Sequence, residues 1–423
     1  MGRKIVIAMA LGATAAMATF SCSKNSSDSG PVAEKSLYIA TGQCNSGQGI
    51  TTLSSTQSSR MVSKVGLTTK NADIFFDLAA AYQGGYFAPE TGAQGIVDNG
   101  STLLLLTENA TSPGERRIFS IPKVTPFNTV LYSSDTNAFT ATAGHITRGM
   151  VLDADDTLLF SKSVSVEKLG TNTLRIPAGA NAWIDNPGGT CGTSNTFVSA
   201  IALMPPFTGT TTGKVIFAHQ GATAATNRIG IISQDGYSVV GDCLNGRTIQ
   251  GTTFANDTGI AGSVITTNAV AGASPTAMVY IPTPGGATAG KLIVGLSAAV
   301  PGDLNNGTNL TYAIVMYDIT ETSAAVATIS ATATILYRDF SNIFGISAMA
   351  FDSASNTLYV ATASQPGTAN QATQAYGYKV EKFNVDLNAT TVPKLTLVRG
   401  SNNEPFIDRS SLTKCISSMT VGN

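Results

Sequence analysis

The sequence predicts an all-β chain whose repeats close into a ring, and three observations carry that prediction. Six short apolar strands recur along the chain: Leu37-Tyr-Ile-Ala-Thr41, Leu103-Leu-Leu-Leu-Thr107, Leu158-Leu-Phe-Ser-Lys162, Val215-Ile-Phe-Ala-His219, Leu292-Ile-Val-Gly-Leu296 and Leu358-Tyr-Val-Ala-Thr362. A leading apolar strand precedes five of them and two further strands follow, so the repeating unit is four strands long. The N-terminal repeat lacks its leading strand, and the C-terminus supplies one. Ile416-Ser-Ser-Met-Thr-Val421 parallels Ile346-Ser-Ala-Met-Ala-Phe351, and Leu37-Tyr-Ile-Ala-Thr41 stands ready to follow it. Ring closure removes the open sheet edges that such a chain otherwise exposes.

The first element is not a strand. Arg3 and Lys4 precede an apolar stretch from Ile5 to Met17. It is shorter than the roughly 20 residues a bilayer span needs, and it fits a signal-peptide core. The stretch ends at Thr19-Phe20-Ser21-Cys22, and a polar Ser-rich spacer runs from Ser23 to Lys35. A small residue followed by cysteine at this place resembles the lipobox of bacterial lipoproteins, with Thr19 where leucine is usual. The resemblance implies a signal peptide over 1–21, lipidation of Cys22 and a flexible tether over 22–35. Ser23, rather than aspartate, resembles the outer-membrane sorting choice of Gram-negative lipoproteins. The implied location is the bacterial cell envelope, as an outer-membrane lipoprotein with a periplasmic or surface face. No later stretch reaches 18 uninterrupted apolar residues, so no transmembrane helix is expected.

Within each repeat, turn residues punctuate the strands. Gly149-Met-Val-Leu-Asp153 is followed by Ala-Asp-Asp, and Ile346–Asp352 by Ser-Ala-Ser-Asn. Such Asp and Asn clusters are turn chemistry. The outer strands are expected near Arg117–Ile121 and Asn128–Tyr132 in the second repeat, and near Lys379–Val385 and Lys394–Arg399 in the last. The poorly patterned stretch Leu244–Ala273 leaves a seventh repeat as the alternative.

In the last repeat, Leu358-Tyr-Val-Ala-Thr-Ala-Ser364 with Tyr378-Lys-Val-Glu-Lys-Phe-Asn-Val385 resembles the YVTN and NHL type of β-propeller repeat. The resemblance implies a single β-propeller over 36–423, with six four-stranded blades around a central channel, closed by pairing of the C-terminal with the N-terminal strand. It does not carry a function, because propellers host many. Quinoprotein blades are rich in tryptophan, and this chain has one. Ser133-Ser-Asp135-Thr-Asn137 lacks the Gly and Trp of a sialidase box. A sugar-lactone hydrolase remains an alternative.

Composition excludes one class outright. A net charge of −1 with 12% charged residues offers no electrostatic footprint for nucleic acid. Removal of Cys22 leaves Cys44, Cys191, Cys243 and Cys415, which in an exported chain suggests two disulfides. Cys415 directly precedes the closing strand and Cys44 lies just past its partner, so the expected pairs are Cys44–Cys415 and Cys191–Cys243. His145 and His219 are the only histidines, and no CxxC spacing exists, which argues against zinc.

The long segments 41–59, 79–94, 107–116, 133–148, 162–172, 186–197, 242–275, 297–311 and 362–377 all fall at one end of the predicted strands, where binding loops are usual. Gln43, Glu108, Asn109, Lys162, His219 and Gln220 are the expected channel-mouth residues there. Glu108 and His219 are the candidate acid/base pair, but no nucleophile motif accompanies them. The expected function is therefore binding of a macromolecule or glycan without catalysis and without a cofactor. The alternatives are a calcium-dependent lactonase-like hydrolase and a structural scaffold in an envelope complex. Calcium candidates are the turn Asp153, Asp155, Asp156 and the loop Asp303-Leu-Asn305-Asn306-Gly307.

Overall fold

Runs such as Leu103–Leu106 are apolar on both faces of a strand, which is tolerable only where both faces are covered. All four of these leucines are at most 1% exposed. The recurring pentads thus become central strands of sheets packed face to face. The computed structural model describes residues 34–41, 61–77, 91–109, 116–126, 130–135, 149–162, 165–170, 195–221, 227–233, 247–248, 253–255, 273–283, 289–298, 313–323, 326–338, 343–363, 379–388, 393–408 and 416–423.

Sheet I orders β24 (Ile416–Gly422), β1 (Ser36–Thr41), β2 (Met61–Gly66) and β3 (Ala72–Asp77). Sheet II orders β4 (Thr91–Asn99), β5 (Thr102–Asn109), β6 (Arg116–Pro122) and β7 (Val130–Asp135). Sheet III holds β8 (Met150–Leu152), β9 (Thr157–Lys162) and β10 (Ser165–Gly170). Sheet IV orders β11 (Asn195–Met204), β12 (Lys214–Gly221), β13 (Arg228–Ser233) and β14 (Arg247–Thr248). Sheet V orders β16 (Ala273–Pro282), β17 (Ala289–Ala298), β18 (Ala313–Ser323), β19 (Val326–Arg338) and β15 (Thr253–Ala255). Sheet VI orders β20 (Phe344–Asp352), β21 (Thr357–Ala363), β22 (Lys379–Asp386) and β23 (Lys394–Val398). Each pentad is the second strand of its sheet.

Five of the six sheets thus have three or four described strands and sheet V has five, which corrects the expectation of uniform four-stranded blades. The extra strand is β15, which adds in parallel to β19 with Thr253 opposite Thr332. The stretch Leu244–Ala273 forms no separate sheet among the described residues. It gives β14 to the outer edge of sheet IV and β15 to that of sheet V. Strands of two or three residues cannot bury a face alone, so they dock on longer neighbours.

β24 pairs antiparallel with β1, with Leu37 opposite Val421 and Ile39 opposite Met419. Among the described residues the core is divided into six apolar clusters, each shared by two neighbouring sheets. Alternation along each strand divides the side chains. Leu103 and Leu105 pack toward sheet I with Tyr38 and Val62, while Leu104 and Leu106 pack toward sheet III with Met150 and Phe160. Leu159 meets Phe217 between sheets III and IV. Ile229 meets Leu292 between IV and V, and Ile293 meets Val360 between V and VI. Tyr359 and Val380 meet Leu37 and Met419 between VI and I. Radially arranged sheets, antiparallel except for β15 and packed in this way with inner strands around a channel, define a single β-propeller. Among the described residues, no helix is long and apolar enough to cross a membrane.

Candidate functional site: the central channel

The inner strands repeat a short pattern: a polar residue, a small residue, then methionine or isoleucine. Ser347-Ala-Met349, Ser417-Ser-Met419, Thr276-Ala-Met278, Ser199-Ala-Ile201 and Gln94-Gly-Ile96 all carry it. In each of these five strands, the register against the second strand slips at the polar residue. A bulge there turns an extra residue out of the ladder, and the extra backbone groups need partners.

The side chains supply some of them. The Ser417 hydroxyl donates to Ala93 O of sheet II at 2.6 Å and lies 3.0 Å from Ala40 O of its own sheet. The Thr276 hydroxyl donates to Ile346 O of sheet VI at 2.6 Å. Ala93 and Ile346 both directly precede the bulge residue of the neighbouring sheet, so the two bonds are the same contact repeated. Ser199 donates within its own sheet, to Ala218 O at 3.2 Å. The Ser347 hydroxyl is buried with no hydrogen-bond partner.

Beyond this bulge ring lies a cavity of about 740 Å³. The next residues along the inner strands line it, namely Ile96, Met150, Ile201, Met278, Met349 and Met419. Each also packs into the cluster shared with the preceding sheet, for example Met278 with Ala200 and Ala202. The cavity is rimmed by the turns between first and second strands, at Asp98, Asp153 and Ser353.

The acidic rim residues are committed to structure. Asp153 accepts from Ala154 N at 2.7 Å and from Gly213 N at 2.8 Å, which ties sheet III to sheet IV. Asp155 accepts from Thr157 N at 3.0 Å, and Asp156 adopts φ 63°. The acidic turn singled out for calcium therefore shapes the chain reversal. The matching turn of sheet VI uses Asp352, which accepts from Ser355 Oγ at 2.6 Å and pairs with Lys35 at 2.9 Å, with Asn356 at φ 49°. Asp98 pairs with Lys123 at 2.6 Å. Among the described residues, no group of three or more His, Cys, Asp or Glu gathers in metal-binding geometry. The loop at Asp303 lies outside the described residues.

The expected channel-mouth residues sit at the other end of the sheets. Glu108 stands opposite Gly92 and Arg116, and Asn109 opposite Thr91. Lys162 stands opposite Ser165. His219 stands opposite Val198 and Arg228, and Gln220 opposite Phe197. All five close their second strands, away from the cavity rim. Glu108 and His219 belong to sheets II and IV, with sheet III between them. Gln43 and all five cysteines lie outside the described residues. The bulge hydroxyls were missed at the sequence level, although the recurring Ser/Thr-small-Met triplet is visible there.

Three ion pairs are built on two buried carboxylates. Lys214 of sheet IV meets Glu321 of sheet V, with side chains 4% and 1% exposed. Glu381, fully buried, meets Lys379 at 2.8 Å and also Arg399.

No family model matches the chain, and no curated protein matches it. Solved structures do resemble it. A Bacteroides caccae protein of unknown function shares 10% identity at TM-score 0.42, with 92% of this chain and 100% of that chain covered. TolB from Acinetobacter baumannii shares 7% identity at TM-score 0.39, covering 92% and 66%. A beta-propeller domain from Myceliophteria thermophila shares 10% identity at TM-score 0.35, covering 85% and 86%. Likeness at this level transfers no function.

Proposed function

We propose that this chain is an outer-membrane-anchored lipoprotein whose six sheets are six blades of one closed ring, and that its loop face binds a macromolecule or a glycan without catalysis. The observation that carries the reading is the shared end of the second strands. They finish at Thr41, Asn109, Lys162, Gly221, Ala298 and Ala363, all away from the cavity rim. In the sequence, that end carries Glu108, Asn109, Lys162, His219 and Gln220, with Gln43 just beyond β1, residue types that offer neutral and charged hydrogen-bonding groups. Uncharged donors and acceptors suit sugar hydroxyls or a peptide backbone.

The test is photocrosslinking in intact cells from an unnatural residue at Asn109, with Ala354 on the opposite face as the control. Crosslinks to an envelope protein or polysaccharide from position 109, and none from 354, are expected. Crosslinks from 354 alone would overturn the reading. The anchor is tested by Cys22→Ser, which should release the protein from the membrane fraction or stall it as precursor.

A further inference from the structure

We infer that the channel cavity binds an uncharged amphiphile, a molecule with an apolar body and one hydrogen-bonding head such as an alcohol, and that the Ser347 hydroxyl receives the head. The site lies at the opposite end of the sheets from the loop face and does not depend on the reading given for that face. Residue size opens it. Ala202, Ala277, Ala348 and Ala350 line the cavity where larger side chains would close it. Its volume of about 740 Å³ falls within the roughly 300–1,000 Å³ of small-molecule sites. Met278, Met349 and Met419 are also in the wall, and a flexible thioether side chain adapts to the shape of an apolar guest.

One polar group in this wall is left over. Thr276, Ser347 and Ser417 hold equivalent places on β16, β20 and β24, and all three line the cavity. Thr276 donates to Ile346 O and Ser417 to Ala93 O, each at 2.6 Å, across to the next sheet. Ser347 is 3% exposed, and its hydroxyl has no hydrogen-bond partner among the described residues. Burial without a partner costs a hydroxyl the bonds it makes in water. A ligand oxygen that bonds to Ser347 restores one of them.

Charge and valence then select the guest. Among the described residues, the charged members of the wall are Asp98 and Asp153. An anion meets two carboxylates and no cation there. A cation gains little, because Asp98 is paired with Lys123 at 2.6 Å and Asp153 already accepts from Ala154 N and Gly213 N. A neutral head suits the site. A peptide or a glycan brings hydrogen-bonding groups at every residue or ring, and the methionine and alanine side chains of the wall answer none of them. A single-headed amphiphile brings one such group, and Ser347 answers it.

Photolabelling of the full-length protein with 1-decanol carrying a diazirine, followed by peptide mapping, tests this. Saturable labelling is expected on peptides that carry 276–282, 347–353 and 417–421, and excess 1-decanol should suppress it. Decanoate should compete roughly tenfold less well, since its charge would be buried unpaired. Ser347→Ala should raise the half-saturating concentration about two- to tenfold, the worth of one hydrogen bond, with the thermal transition unchanged. Thr420→Trp, in the cavity wall on β24, should abolish labelling of these peptides. Labelling confined to other peptides, or equal in the parent and Ser347→Ala, overturns the site. Equal competition by decanoate overturns the neutral head, and this comparison needs only the parent protein. None of these results alters the loop-face reading.

Discussion

The bulge residues show how far a single hydroxyl reaches in this fold. Thr276 and Ser417 each bond to the carbonyl just before the neighbouring sheet's own bulge. A buried hydrogen bond of this kind contributes about 0.5–1.5 kcal/mol net, and an orphaned carbonyl adds to the loss. Thr276→Val and Ser417→Ala should each lower stability by about 1–2 kcal/mol, read from the urea midpoint. Ser347→Ala at the equivalent position removes a hydroxyl without a partner. It should shift the midpoint by less than about 0.5 kcal/mol. A loss at Ser347 as large as at Thr276 would show that the bulge hydroxyls act by filling space alone. Gly230 gives an independent check on packing between β12 and β13. A Cβ there would sit 2.5 Å from the Phe217 ring, which faces it across the pair. Gly230→Ala should cost about 1–3 kcal/mol. Asp352 supplies a pH signature. Burial pushes its carboxyl up, but hydrogen bonds from Ser355, Lys35 and Ala354 and the Lys35 charge outweigh it, so the net shift is below the ordinary value of 3.8. A depressed folded-state value contributes stability above pH 4 that is lost as pH falls further. Asp352→Asn should melt earlier than the parent at pH 7, and the two melting curves should converge below pH 4.

At the scale of the element, legibility followed burial. The second strands were readable because both faces are covered, which forces unbroken apolar runs such as Leu103–Leu106. The sixth repeat was readable to its edge, with β22 and β23 observed at Lys379–Asp386 and Lys394–Val398, because its turns carry Asp and Asn at fixed places. The bulges stayed unread, since one extra residue leaves the apolar content of a strand unchanged and alters only its register. β15 stayed unread for the opposite reason: three residues carry no period, and its parallel docking on β19 is set by the partner. β24 is the element on which most depends. It supplies Ile416 and Met419 to the cluster shared by sheets VI and I, and it covers the inner edge of β1. Deletion of 416–423 exposes that edge and empties part of the cluster. The truncated protein should lose its cooperative thermal transition and aggregate, as seen by scanning calorimetry and size exclusion. A sharp transition near the parent's would show β1 to be stable as an inner strand.

Among the described residues, six interfaces of one kind join neighbouring sheets, and chain connectivity distinguishes one sheet from the rest. Sheets II to VI each take their first and second strands from one stretch of chain. Sheet I joins β24 to β1, from opposite ends of the polypeptide. Separation of these two strands opens the molecule without breaking any turn, so this is where a covalent link has most effect. The register places Thr41 opposite Ile416. Cys415 directly precedes one and Cys44 follows the other by three residues, and a disulfide between them requires Cα atoms roughly 4.4–6.8 Å apart. Non-reducing peptide mapping of protein from an oxidising compartment is expected to yield a Cys44–Cys415 peptide, with Cys191 and Cys243 left for each other. Cross-linking the two ends of so long a chain restricts the unfolded state by on the order of 5 kcal/mol in the loop-entropy account. Cys44→Ser and Cys415→Ser should therefore lower the unfolding midpoint equally, and the double variant should fall no further than either single one. Linkage of Cys44 to Cys191 or Cys243 would contradict this, because Cys191 precedes β11 and Cys243 falls between β13 and β14 in the sequence, both in the stretch that builds sheet IV.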